Sequence, residues 1–353
     1  MKVSYKIFQL PFKYPFRISK GLKTTQPVFV VELEYFGIKG YGEAPAIAYY
    51  NIPTQKMAGD LERKKIFVEK FSFSDPERYW HYLHHLYPQN SFLVCALDMA
   101  GWDLFGKLKR NALHKLWKLD TEKAPYTDYT IGIDSIPKML EKIKENPWPC
   151  YKIKMGIPGD LEMIETIRQH TNAELRVDAN AGWTLDEALH KIPKLAQLNV
   201  SLVEQPLAKD NWEGMKKLYD ASPLPLFADE SCVAEEDVEK CAGYFHGINI
   251  KLTKCSGITP ALRMIHRARE LGLQIMLGCM NESSIGTAAI AQLAPLADYA
   301  DMDGPLLLTK DIASGVSFEA GKIIYPERDG LGVQVSWDSL LSEPTAEDLP
   351  LQT

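Results

Sequence analysis

The chain has 353 residues, 46% of them hydrophobic and 24% charged, with a formal net charge of −6 at pH 7. That composition suits a soluble globular protein with one large core or two domains and excludes a disordered or fibrous chain. The charge is mild and not gathered into blocks, so there is no basic footprint for nucleic acid and no polybasic membrane patch; no apolar run is long enough to span a bilayer.

The N-terminus, Met1-Lys-Val-Ser-Tyr-Lys, lacks the apolar core of a signal peptide. Six cysteines (Cys95, Cys150, Cys232, Cys241, Cys255, Cys279) are scattered with no CxxC pair and no histidine at metal spacing. Reduced thiols in a cytoplasmic protein are the expectation.

Residues 2–44 read as strand, loop, strand, strand. Val3 to Leu10 and Pro27 to Tyr35 are rich in β-formers, and Gly37-Ile-Lys-Gly40 marks a turn before Tyr41-Gly-Glu-Ala-Pro45, which predicts an antiparallel meander. The stretch Lys13 to Gln26, carrying Phe16, Arg17, Lys20 and Lys23, reads either as a solvated basic loop or as one that closes over something. From Thr54 to Trp117 the apolar period becomes helical, most clearly in Phe92-Leu-Val-Cys-Ala-Leu-Asp-Met-Ala-Gly-Trp-Asp-Leu-Phe-Gly. Asp98 and Asp103 lie on that helix at a spacing that does not stack them on one face, so local polar contacts are expected of them rather than a shared metal. Lys118 to Ala124, before Pro125, reads as a linker and puts a domain boundary near residue 123.

Beyond the linker, short Val/Ile/Leu-rich runs alternate with amphipathic helical segments. The runs are Thr127–Gly132, Cys150–Lys154, Glu174–Asp178, Ser201–Glu204, Leu224–Asp229, Ile248–Leu252, Gln274–Gly278 and Tyr299–Asp303. Parallel strands need crossover helices and are buried on both faces, so this alternation predicts an α/β fold, a TIM-type (β/α)8 barrel over residues 124–305. Thr184-Leu-Asp-Glu187 supplies a capping box for one of the helices. After Gly304 the sequence becomes β-like and Gly-punctuated, so residues 306–353 are expected to return to the N-terminal region, with a poorly ordered tail from Ser342.

A barrel puts the C-terminal ends of its strands on one face, and charged residues stand at those ends. Asp178, Glu204 and Asp229 end the third, fourth and fifth strands. Three carboxylates cannot share a small volume unless a cation offsets their repulsion, and an all-oxygen set with positions left for water or substrate suits Mg2+. One alone would read as a surface salt bridge; three at successive strand ends read as a metal site. Lys152 and Lys154 alternate along the second strand, so both can point into the barrel, and Lys251 ends the sixth strand on the opposite side. Lys154, nearer its strand end, is the one expected to reach substrate. A lysine acting as a base must be neutral, and burial together with positive neighbours, here Lys152 and a dication, lowers its pKa from about 10.4.

The order Lys152-Ile-Lys154, Asp178-Ala-Asn, Glu204-Gln-Pro, Ala-Asp229-Glu-Ser and Asn249-Ile-Lys251-Leu resembles the enolase superfamily, specifically its muconate-lactonising subgroup, over essentially the whole chain. The resemblance implies a (β/α)8 barrel capped by an α+β domain made from residues 1–123 and the returning C-terminal segment. It implies one Mg2+ per subunit held by Asp178, Glu204 and Asp229, and Lys154 and Lys251 as an acid/base pair on opposite faces of the substrate, with Lys152 auxiliary. The chemistry so implied is abstraction of a proton α to a carboxylate, the developing charge being stabilised by the metal.

Asp301-Met-Asp303 resembles the DxD motif of the dipeptide epimerases, whose aspartates hold the α-ammonium of the N-terminal residue; a carboxylate pair is a fitting counter-charge for an ammonium. Glu282, Thr130 and Lys20 complete the expected substrate contacts. The expected activity is epimerisation of the C-terminal residue of L-Ala-Xaa dipeptides, with L-Ala-D/L-Glu from peptidoglycan recycling as the default. Two departures bear on it. Cys255-Ser256-Gly257 stands where members often carry Gly-Gly, and the arginine that clamps a glutamate side chain in some members has no counterpart near Gly21, although Lys20 and Lys23 are close. Other Xaa residues, hydrophobic ones included, therefore stay open. An o-succinylbenzoate synthase or a cycloisomerase would share the triad and lysines without needing the DxD. A non-catalytic metal- and dipeptide-binding protein is the reading of another class, against which the intact lysines speak. The expected partner is a small dipeptide; a homo-oligomer is compatible with the sequence.

Overall fold

The computed structural model describes residues 1–18 and 21–339; Lys20 and the tail from Ser342 lie outside them. Three antiparallel strands open the chain, β1 (Lys2–Ile18), β2 (Gly21–Tyr35) and β3 (Ile38–Pro45), in the order β1-β2-β3. The stretch expected to be a loop between Lys13 and Gln26 is instead a continuation of the β1–β2 hairpin, with Phe16 opposite Lys23, Arg17 opposite Leu22 and Ile18 opposite Gly21. The pairing shifts register between Pro11 and Phe16, a span that also holds Pro15, because proline has no N–H to give to a ladder. Phe12 and Phe16 stack with ring centroids 5.5 Å apart, and the far end of the hairpin is tied to the barrel by the Ile133 N–H, which donates to Arg17 O at 2.9 Å. Aromatic packing and this tie turn a segment with weak strand signals into an ordered arm.

β2 is apolar on both faces because it serves two cores. Val28 and Val30 pack with the barrel core, whereas the alternate residues Phe29, Val31 and Leu33 pack with the helices of the cap. Those helices are α1 (Thr54–Lys70), α2 (Pro76–Leu86) and α3 (Ser91–Leu108). α3 lies between the same two cores and is buried almost all round. Its carboxylates consequently cannot find water and must find donors across the molecule. Asp103 accepts from the backbone N–H groups of Tyr41 and Leu331 at 2.9 and 2.8 Å, and Asp98 accepts from the Thr259 hydroxyl at 2.7 Å. The expected local contact is kept at Asp103, whose Oδ2 also lies 2.6 Å from Lys107 Nζ one turn on, and gives way to a long-range one at Asp98.

The barrel strands are β4 (Tyr129–Ile131), β5 (Cys150–Lys154), β6 (Glu174–Asp178), β7 (Val200–Glu204), β8 (Leu226–Ala228), β9 (Gly247–Lys251), β10 (Gln274–Gly278) and β11 (Tyr299–Asp301). They form one parallel sheet in sequential order, as the alternation predicted. The seam between first and last strands is closed by a parallel bridge between Thr127 and Ala300, with Asp128 N donating to Ala300 O at 3.3 Å. Inside the barrel Arg176 staples that seam, donating to Asp128 Oδ2 at 3.1 Å and to Ala300 O at 2.9 Å. The capping box at Thr184 is formed, Thr184 N donating to Glu187 Oε2 at 2.8 Å and Glu187 N to Thr184 Oγ1 at 3.3 Å.

After β11 the chain makes a small hairpin, Ser317–Glu319 with Lys322–Ile324, and returns past the N-terminal strands. Thr309 N donates to Pro11 O at 2.8 Å, and Trp337 sets its edge on Phe8. All six cysteines are free and buried. Among the described residues no helix is long and apolar enough to cross a membrane.

β3 meets α3 at backbone contact, which is why Gly40 and Gly42 face it: a Cβ on Gly42 would fall 2.0 Å from Ala96 O and one on Gly40 2.3 Å from Ala100 O. Gly42→Ala forces the sheet off the helix and is expected to cost about 2–3 kcal/mol in a denaturant titration, the range of an overpacked core.

Candidate active site

The strand register builds the site. Lys154, Asp178 and Glu204 are in line across β5, β6 and β7, Gly278 of β10 pairs with both Lys251 and Asp301, Asp229 follows directly after β8, and Asp303 lies two residues past the end of β11. Asp178, Glu204 and Asp229 are buried and bring ligand oxygens within 4.8 Å of one another. An all-carboxylate cluster this tight is a hard, negatively charged donor set, and it fits a small dication such as Mg2+.

The lysines surround that cluster. Lys154 Nζ lies 2.6 Å from Asp178 Oδ2, Lys251 Nζ 2.7 Å from Asp229 Oδ2, and Lys152 Nζ 2.6 Å from Glu204 Oε2 and 2.5 Å from Asp301 Oδ2. Burial disfavours a charged Lys152, but Asp301, Glu204 and Asp178 outweigh it and hold the ammonium well above its ordinary pKa. Lys152 is therefore a fixed cation bridging the metal-ligand cluster and the DxD pair. Glu204 is pushed up to about 7 by burial, with Lys152 opposing and the other two carboxylates adding to it.

Three positioning residues were not singled out from the sequence, two of them, Gln205 and Asn249, inside the recognised motifs. Gln205 Oε1 accepts from the N–H groups of Asp229 and Ser231 at 2.9 and 3.1 Å; Asn249 Nδ2 donates to Glu204 Oε1 at 2.8 Å. Lys254 is buried and donates to Asp229 Oδ1 at 2.7 Å and to the carbonyls of Asp229, Cys232 and Asn249 at 2.6, 2.8 and 3.0 Å. The signal for Lys254 was its spacing, three residues after Lys251 where the strand becomes a helical turn.

The DxD end is arranged differently. Asp303 Oδ2 accepts from Thr130 N at 2.5 Å, and burial together with the neighbouring Asp301 raises its pKa to about 6. Asp301 goes the other way: burial would raise it, but Lys152, Lys154 and Lys251 bring it down to about 2. Asp303 forms no ion pair among the described residues. Glu282 does not line the cavity; its Oε2 accepts from Met280 N at 2.6 Å and so folds the Cys279–Asn281 loop that does. The cavity above has a volume of about 300 Å³. Its floor includes Lys154, Asp229 and Lys251; its walls come from Phe16, Ile18, Leu22 and Lys23 of the hairpin and from Ile47 to Tyr50 after β3. Lys23 donates to Gln26 Oε1 at 3.0 Å, and burial lowers its pKa. Lys20 falls outside the described residues.

Residues 137–339 match the model of the enolase C-terminal domain-like family. The chain belongs to this family. It is 46% identical to the L-Ala-D/L-amino acid epimerase of Flavobacterium johnsoniae over 94% of this chain and 99% of that one. Identity to the L-Ala-D/L-Glu epimerase of Bacteroides thetaiotaomicron is 39%, over 94% and 88%. Among solved structures, the dipeptide epimerase of Cytophaga hutchinsonii complexed with Mg and the dipeptide D-Ala-L-Val superposes with a TM-score of 0.89 at 28% identity, covering 97% of this chain and 99% of that one. The enolase-family barrel thus brings together every described residue expected to act at its mouth, apart from Glu282, which acts from behind the wall.

Asn249→Ala frees Glu204 Oε1 from its donor. Isothermal titration with Mg2+ is expected to show about 10–100-fold weaker binding with the circular dichroism spectrum unchanged.

Proposed function

We propose that this protein is a Mg2+-dependent dipeptide epimerase that inverts the α-carbon of the C-terminal residue of L-Ala-Xaa dipeptides. The observation that carries the reading is a pair of buried lysines four strands apart, Lys154 on β5 and Lys251 on β9, each hydrogen-bonded to a different carboxylate of one metal-ligand cluster. A planar, carboxylate-stabilised carbanion held between them can lose a proton to one lysine and regain one from the other, which inverts the centre. Asp178, Glu204 and Asp229 hold the cation, which when bound neutralises the substrate carboxylate and the charge that develops on it.

The rest of the work belongs to the chain. Lys152 stays charged and draws Asp301 and Glu204 toward one another, so the ammonium end and the carboxylate end of a dipeptide are set at a fixed separation. Asp303 has no ion-pair partner among the described residues, and a substrate α-ammonium between Asp301 and Asp303 supplies one. This second cation site is what an o-succinylbenzoate synthase or a cycloisomerase has no use for. Hairpin and cap loop exclude water above the α-carbon, where a dry site strengthens each charged contact.

The side chain of Xaa then points to walls that are mostly apolar and, among the described residues, hold one cation, Lys23. We read this as tolerance for a range of Xaa, L-Ala-D/L-Glu among them, and propose peptidoglycan recycling in the cytoplasm as the setting.

Incubation in D2O with Mg2+ and a set of L-Ala-L-Xaa dipeptides tests the reaction, with deuterium at the C-terminal α-carbon read by mass spectrometry. Uptake with inversion is expected, and its absence for every dipeptide sinks the reading. Lys154→Ala and Lys251→Ala should each abolish inversion while Mg2+ still binds in calorimetry; inversion by either variant excludes a two-lysine mechanism. Asp301→Asn removes a charged contact to the ammonium, and KM is expected to rise by about 10–100-fold, the worth of one charge-assisted hydrogen bond.

A further inference from the structure

The two lysines are supported in different ways. The chain after Lys154 is held by barrel groups: Met155 N donates to Asp178 O at 2.8 Å and Gly156 N to Asp160 Oδ2 at 3.1 Å. The chain after Lys251 is held by the cap. β9 ends at Lys251, a turn of helix runs over Leu252–Cys255, and the helix Ile258–Glu270 starts after Ser256 and Gly257. Both linking residues are left-handed, Ser256 at φ +75° and Gly257 at φ +136°. A Cβ on Gly257 would fall 2.3 Å from Asp98 Oδ2, so the joint leaves no room for a side chain there.

Three side chains of the cap close on this joint. Trp80 of α2 donates its indole N–H to Ser256 O at 3.1 Å and lies 3.2 Å from Ser256 Oγ. Asp98 of α3 accepts from Thr259 N at 3.1 Å and from Thr259 Oγ1 at 2.7 Å, while Trp102 Nε1 donates to that same hydroxyl at 2.9 Å. Asp98 is fully buried, so a barrel helix has its N-terminus capped by a carboxylate from another domain. Arg263 of that helix reaches back over the Trp80 ring at 4.4 Å and pairs with Glu235, which covers the contact from outside. At its inner end the turn is tied through Lys254 to Asp229.

We propose that Asp98 and Trp80 are positioning residues for Lys251 and not for Lys154. The turn Leu252–Gly257 is clamped between Lys254 on the site side and the cap on the other, so the aim of the Lys251 ammonium depends on the cap being seated. Among the described residues the chain after Lys154 is hydrogen-bonded to the barrel. Ser256 fits the same role: a non-glycine residue accepts a strained left-handed conformation where its carbonyl and hydroxyl both meet Trp80. Seating of the cap therefore tunes one of the two faces at which the substrate α-carbon exchanges its proton. The inference rests on the epimerase reading for its kinetic consequence, though not for its structural one.

The test uses the full-length Mg2+-loaded protein and the two C-terminal epimers of one dipeptide, each in D2O, with initial Cα deuterium uptake as the readout. Lys251→Ala identifies which epimer is deprotonated by Lys154, because that epimer alone keeps exchanging. In Trp80→Phe, which removes the indole N–H donor and trims the bicyclic ring to a phenyl, exchange of the other epimer is expected to fall at least about tenfold with KM unchanged, while the Lys154-served epimer stays within about twofold. Asp98→Asn should give the same asymmetry more strongly. An equal fall for both epimers, or no change in Trp80→Phe, overturns the proposal. Amide hydrogen exchange followed by mass spectrometry gives a second readout: faster exchange across residues 252–259 in Trp80→Phe, with residues 155–160 unchanged, is expected, and its absence overturns the proposal as well. If the wild-type protein exchanges no dipeptide at all, the epimerase reading fails and the amide exchange still decides whether the cap positions this turn.

Discussion

Everything at the barrel mouth depends on compensating negative charge that has been taken out of water. Asp178, Glu204, Asp229, Asp301 and Asp303 are all buried, as are Lys152, Lys154, Lys251 and Lys254. Either set alone would be prohibitive, since a buried ion without a partner costs several kcal/mol. Interleaved, they form one network in which Lys152 bridges Glu204 and Asp301, and Lys254 and Lys251 share Asp229. A network of this kind needs rigid supports, because an ammonium displaced by a fraction of an ångström leaves a carboxylate unpaired. The parallel strands supply the first support and the backbone carbonyls around Lys254 the second.

The cap supplies a third support, and its design follows from the same constraint. β2 lends alternate residues to two cores, and α3 is buried on both sides, so cap and barrel are not joined by a wet polar interface. Polar groups caught between them must then be satisfied across the joint. Asp98 caps a barrel helix, and Glu43 of β3 accepts from Ser283 N at 2.9 Å and Gly286 N at 3.0 Å at the start of the helix Ser284–Leu293. Burial raises Glu43 to about 8, against the pull of those donors. The carboxylates that fasten the cap thus end on the helices that follow β9 and β10, the strands carrying Lys251 and leading to Glu282.

The barrel was legible because its strands are short apolar runs closed by charged residues, a pattern that periodicity alone exposes at Cys150–Lys154, Glu174–Asp178 and Gly247–Lys251. The clustering of Asp178, Glu204 and Asp229 was legible because adjacency of strands turns sequence order into spatial order. The arm formed by β1 and β2 was not: Pro11 and Pro15 interrupt the strand signal, and what orders the segment is its contact with the barrel rim, which no local pattern encodes. The partner of Asp98 and the role of Lys254 were missed for a related reason. Their partners lie on elements that only the tertiary fold brings near, Thr259 for one and the Asp229 and Cys232 carbonyls for the other.

The seam of the barrel gives the DxD pair a further meaning. β4 and β11 are the first and last strands of the closed sheet, joined there by one bridge, the Asp128 to Ala300 hydrogen bond and the Arg176 staple. Thr130 belongs to β4, Asp301 ends β11 and Asp303 lies just beyond it, and the Thr130 N–H to Asp303 contact spans the gap between them. A dipeptide ammonium lodged at the DxD therefore sits on the closure of the cylinder, where the two ends of its folded ribbon meet. On the proposed reading, occupancy at that point is a clasp across the join between the first and last strands.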